Sequence, residues 1–208
     1  MAKYLSIFVV VALVLASYLI FNYAKETYRI FPIEEEKSPV SLEVYNFQNW
    51  HEFTGTNGEF KVLFPTLPQH ATENIKDPKS NETRKYEMYV SEKDDGTIFM
   101  ISLITFPDKT ADSDGDSLMR AMMNDMMAAS PDNELRTMES GKYKGYNSLD
   151  FAFGNNELSV DSKTFMVNNT MLVLTRIVKT ENYNTNEFNF FINSFELSSA
   201  SPSAEQTE

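Results

Sequence analysis

The chain has 208 residues, no cysteine, and a formal net charge of −12 at pH 7 from 30 acidic against 18 basic side chains. The lack of cysteine excludes disulfides, thiolate nucleophiles and Cys-based zinc or iron–sulfur sites, and the negative surplus repels a phosphate backbone, so nucleic acid is not an expected partner. A hydrophobic fraction of 42% with 16 Phe and 10 Tyr is enough apolar surface for one domain to fold without staples.

Residues 4–21 carry no charge. As a helix they would span about 27 Å, close to the roughly 30 Å hydrocarbon core of a bilayer. Tyr4, Tyr18, Tyr23 and Tyr28 bracket this stretch like interfacial anchors. The competing reading is a secretory signal cleaved after Val14-Leu15-Ala16. Because the apolar run continues through Tyr18, Leu19, Ile20 and Phe21, an uncleaved anchor is favoured. Residues 1–30 are thus expected to be a membrane anchor or signal segment. A short head carrying Lys3 resembles an export signal and puts the domain outside the cytoplasm, although Lys25 and Arg29 weaken the charge asymmetry. Ala12 and Ala16 form a small-xxx-small pair that could let two such helices approach.

Prolines and a charge cluster make residues 31–48 a linker, and the polar residues 198–208 have nothing to bury and read as a disordered tail. Between them, residues 49–197 form the domain. Its dominant period is two. Strands are expected at 50–54 and 59–64, joined by Gly55-Thr56-Asn57-Gly58, with Phe60, Val62 and Phe64 on one face. A second pair, 83–91 and 97–106, is joined through Asp94-Asp95-Gly96. Its later member is apolar on both faces and should lie centrally, covered on both sides.

A helix is expected over 117–129, preceded by Asp112, Asp114 and Asp116 and ended by Ser130-Pro131. Four more strands follow at 134–139, 145–153, 157–167 and 170–179, the last again apolar on both faces. The closing helix, 184–195, aligns Phe188, Phe191, Ile192 and Phe195 as one stripe. The expected fold is α+β: an antiparallel sheet of about seven or eight strands with packed helices, behind one N-terminal transmembrane helix.

The run Gly58-Glu59-Phe60-Lys61-Val62-Leu63-Phe64-Pro65 after a Trp-containing strand, the strands at 145–153 and 164–176, and the closing Phe190-Phe191-Ile192-Asn193-Ser194-Phe195-Glu196-Leu197 resemble the PsbP-like superfamily. That superfamily includes the extrinsic P subunit of photosystem II, a small Ran-binding protein, and membrane-tethered bacterial domains. The resemblance spans residues 49–197. It implies a non-enzymatic binding or assembly module with a protein partner, and it transfers no catalytic residue, because the matched positions build the fold.

Few side chains point to chemistry. Asp112-Ser113-Asp114-Gly115-Asp116 resembles the start of a calcium loop, but an EF-hand wants glycine sixth and glutamate twelfth, where this chain has Gly115 fourth and Met123 last. Helix capping is the better account of the aspartates. Met119, Met122, Met123, Met126 and Met127 crowd the helix; such a surface could hold a variable peptide or a soft metal. The plainer expectation has Leu118, Met122 and Met126 lining the core and the other methionines filling gaps. His51 and His70 are read as surface residues, in a strand and a Pro-rich turn respectively. No nucleophile elbow, phosphate loop or dinucleotide fingerprint is present. Asn81-Glu82-Thr83 and Asn168-Asn169-Thr170 fit the glycosylation pattern.

No catalytic, cofactor-binding or metal residue is therefore assigned. The expected function is a membrane-tethered extracytoplasmic binding or assembly module. Its alternatives are a carboxylate-dependent hydrolase or isomerase, and a carrier of a small apolar ligand or lipid, which would need a cavity between sheet and helix.

Overall fold

A computed structural model of the chain describes residues 47–76, 82–107 and 115–198. The expected anchor at 4–21, most of the linker and nearly all of the tail lie outside the described residues, as do Asn81, Asp112 and Asp114. No helix among the described residues is long and apolar enough to cross a membrane.

Among the described residues, ten strands and two α-helices follow a short 3-10 turn at Phe47–Asn49. The strands are β1 (His51–Thr54), β2 (Phe60–Phe64), β3 (Gln69–Lys76), β4 (Thr83–Glu92) and β5 (Ile98–Thr105), then β6 (Glu134–Tyr143), β7 (Tyr146–Gly154), β8 (Leu158–Val167), β9 (Thr170–Lys179) and β10 (Glu196–Leu197). Helix α1 is Gly115–Met127 and helix α2 is Asn186–Ser194. The α+β class holds. The strands divide between a seven-stranded antiparallel sheet, ordered β3-β4-β5-β9-β8-β7-β6, and a separate three-stranded sheet, β1-β2-β10.

The large sheet is two meanders, β3-β4-β5 and β6-β7-β8-β9, joined where β5 pairs with β9 from Ile98↔Ile177 to Thr105↔Thr170. Each hairpin is closed by residues suited to its turn. Lys144 (φ 51) and Gly145 (φ 90) occupy the two-residue β6–β7 loop in the left-handed conformations that match the twist of the flanking strands. After β5 the chain must cross to the far edge of the sheet before β6 can begin, and α1 makes that crossing over β7 and β8.

The central strands β5 and β9 are buried on both faces, as their doubly apolar patterns require. One face packs against β2 and α2: Phe60, Val62 and Phe64 meet Tyr89, Phe99, Ile101, Phe165, Leu174, Phe191 and Phe195. The other packs against α1, with Met119, Met122 and Met123 over Leu149, Phe151, Phe153, Val160 and Val173.

Three expectations are corrected. The segment around His70, expected as a Pro-rich turn, is strand β3, whose side chains are almost all exposed and show no alternation. It forms by pairing its backbone with β4, from Gln69↔Val90 to Lys76↔Thr83, and it carries His70. In α1 the fully buried residues are Met119, Met122 and Met123, while Leu118 and Met126 are only partly buried. Strand β6 runs on to Tyr143 as an exposed edge, bulged between Leu135 and Thr137.

Candidate functional site

Because α1 lies over β7 and β8, it does not close the whole of its face of the sheet. A cavity of about 160 Å³ remains between the helix and the sheet. Its roof is Met122 and Met126 of α1 together with Ala129, two residues past the end of the helix. Its floor runs across β4, β5, β9 and β8 through Tyr86, Met88, Met100, Ser102, Ile104, Val173, Ile177 and Val160. Four thioethers, those of Met88, Met100, Met122 and Met126, thus share one space. Methionine is unbranched and polarisable, so such walls can reshape around an apolar guest.

One end of the cavity is polar. Ser130 and Asn133 follow α1, and Asn155 sits in the β7–β8 turn. Asn155 Oδ1 accepts from the backbone N–H of Glu157 (2.8 Å) and Leu158 (2.9 Å), and its Nδ2 donates to Asn133 Oδ1 at 3.2 Å. Asn133 Nδ2 donates to the carbonyl of Met127 at 3.1 Å, tying this polar end to the last turn of the helix. On α1 itself, Asp125 Oδ2 is buried without a hydrogen-bond partner, and burial pushes its carboxyl up to about 6.

Two polar clusters occupy the opposite face. Arg176, with no exposure, donates from Nε (3.0 Å) and Nη2 (2.5 Å) to Asp161 Oδ2, while Tyr183 Oη donates to Oδ1 at 2.7 Å. The Tyr183 phenol is pushed up to about 12, first by burial and then by its bond to Asp161. The second cluster centres on buried Glu87, paired with Lys85 and approached by Tyr89 Oη at 3.4 Å. The His70 ring stacks on Tyr89 at 4.5 Å, with Nε2 3.9 Å from Glu87. The bond to Glu87 holds the Lys85 ammonium above its ordinary range. These are closed networks beneath or beside packed aromatics, not openings in the surface.

Of the residues singled out in the sequence, Met122 and Met126 line the cavity, whereas Met119 and Met123 pack in the core against the sheet. Asp116 sits exposed in the first turn of α1. His51 is exposed on β1 and far from His70 in the pairing pattern, so no two-histidine site is built. Among the described residues no group of three or more His, Asp or Glu side chains is placed to hold a metal ion. Asn168 is exposed in the β8–β9 turn with φ 53. Sequence reasoning missed Met88, Met100, Ser130, Asn133 and Asn155. Ser102 interrupting the apolar run of β5 was the one local signal that this face is not uniformly packed.

No protein-family model matches the chain, and no curated protein matches it. Among solved structures it is similar to cyanobacterial PsbP from Synechocystis sp. PCC 6803, at 14% identity and a TM-score of 0.45, covering 76% of this chain and 98% of that one. It is also similar to a protein of unknown function from Pseudomonas aeruginosa, at 8% identity and a TM-score of 0.39, covering 68% and 89% of the two chains. A third similar structure, from Bacteroides thetaiotaomicron, shares 11% identity at a TM-score of 0.37, covering 73% of this chain and 50% of that one.

Proposed function

We propose that this chain is a non-enzymatic binding module that takes a small apolar ligand, or the apolar part of a larger one, between α1 and the sheet. The observation that carries the reading is the methionine-walled cavity of about 160 Å³. A space of about 150 Å³ with apolar walls is enough to hold a benzene-sized guest. The lining offers packing contacts and few polar groups, which suits retention of a ligand better than acid–base chemistry. The expected tether at residues 4–21 belongs to the same proposal: it would hold the domain at a membrane surface, outside the cytoplasm, where apolar molecules partition. The PsbP-like reading stays with the motifs at 58–65 and 190–197 that suggested it.

The test uses the full chain labelled with 13C at its methionine methyls. Titration with toluene should move the resonances of Met88, Met100, Met122 and Met126 and leave that of Met138, on the β6 edge, in place. Unmoved cavity resonances at saturating toluene would remove the proposal. Protease protection in sealed membrane vesicles tests the tether and its orientation independently.

A further inference from the structure

We infer that the ligand is a neutral molecule bearing a hydrogen-bond acceptor, a carbonyl above all, at one end of a ring-sized apolar body. This inference rests on the binding reading above and deepens it. The polar end of the cavity is rich in donors. Backbone partners orient both amides: Asn155 Oδ1 is fixed by the N–H groups of Glu157 and Leu158, and Asn133 Nδ2 by the carbonyl of Met127. Each NH₂ has two protons. Asn155 uses one on Asn133, and Asn133 uses one on Met127, so each keeps one N–H to give. Ser130 Oγ accepts from the N–H of Asp132 at 3.4 Å, and its own proton has no acceptor among the described hydrogen bonds. Both lone pairs of Asn155 Oδ1 are already taken, while Asn133 Oδ1 and Ser130 Oγ each keep one, so the group presents three donors against two open lone pairs.

Charge selects further. Glu87 is the one acidic or basic residue on the cavity lining among the described residues, and its carboxylate is held by Lys85 and Tyr89 on the other face of the sheet. No cation lies on the lining itself: the nearby Arg136 guanidinium is held by Ser159 Oγ at 2.6 Å and the Asn155 carbonyl at 3.4 Å and lies over the Tyr183 ring. A carboxylate entering would lose hydration with no cation on the lining to pair with it, in a chain that already carries −12. A neutral carbonyl satisfies the donors without that loss.

Three probes of nearly the same shape separate the possibilities: ethylbenzene, acetophenone and benzoate, titrated against the 13C-methionine-labelled full chain. One added neutral hydrogen bond is worth about 1 kcal/mol, which is about fivefold in dissociation constant. Acetophenone should thus bind about fivefold more tightly than ethylbenzene and more tightly still than benzoate. The variant Ser130→Ala, and separately Asn133→Ala, should reduce the ratio of acetophenone to ethylbenzene affinity toward one. Ser130→Ala is the safer of the two, since Asn133 also holds the end of α1. Equal binding of ethylbenzene and acetophenone, or preference for benzoate, overturns this inference and leaves the binding reading standing. Binding of none of the three overturns both.

Discussion

On one face of the seven-stranded sheet, Phe60, Phe64, Phe99, Phe165, Phe191 and Phe195 have no exposure, and their rings meet edge-on, tilted or stacked at 5.2 to 5.9 Å. On the other, Met88, Met100, Met122 and Met126 surround open volume. The strands are shared, so the difference comes from what covers them. Strand β2 and helix α2 bring flat, rigid side chains that fill space by interlocking, whereas α1 brings flexible thioethers and spans only part of its face. The aromatic face secures the fold, and the methionine face leaves room.

That contrast can be broken first where it is strongest. Phe195→Ala removes a ring that contacts Phe60, Tyr143 and Phe165, and it should destabilise the domain by about 3–5 kcal/mol in denaturant unfolding. Asp161→Asn should follow at about 3 kcal/mol, because it leaves the Arg176 guanidinium buried without its countercharge. On the hollow face the same kind of truncation should be milder. Met126→Ala, at a half-buried position that already borders open volume, should lose about 1 kcal/mol while changing toluene affinity more than any aromatic-face substitution that still folds. A near-equal loss for Phe195→Ala and Met126→Ala would erase the distinction between the faces.

The smallest effect is one of pH. The Asp125 carboxyl sits near 6 in the folded chain against an ordinary 3.8, so the native state holds its proton more tightly than the unfolded chain. This group's contribution to stability is fully present below about 4 and is lost as pH rises through 6. Since the side chain is partly solvated, the change should be of order 1 kcal/mol. Asp125→Asn should flatten that part of the stability profile and stabilise the domain at pH 7; a profile unchanged by the substitution would contradict the burial of this carboxyl.

Much of this fold is written in the period of the apolar residues. Phe60, Val62 and Phe64 alternate because β2 lays one face on the core, and the doubly apolar β5 and β9 lie inside the sheet, as their sequences require. What escaped has physical causes. Strand β3 is held by backbone pairing and leaves no pattern in its exposed side chains. Asp161 and Arg176 each interrupt a strand whose neighbours are buried, which signals a buried pair, but only the β8–β9 register, Asp161↔Arg176, reveals that they are each other's partner. The cavity is less legible still. It arises from how far a crossing helix reaches over a sheet, and Met88, Met100, Asn133 and Asn155 come together from four separate segments.

The β5–β9 seam also bears on how the chain folds. Within each meander, successive strands find each other through short turns, which close quickly. Joining Ile98 to Ile177 and Thr105 to Thr170 requires closing a loop that contains all of α1, β6, β7 and β8. Such non-local pairing is slow relative to hairpin formation. The expected order of events is therefore two independently formed sheets that dock edge to edge, with the cavity, whose floor runs from β4 and β5 across to β9 and β8, coming into being only at that last step.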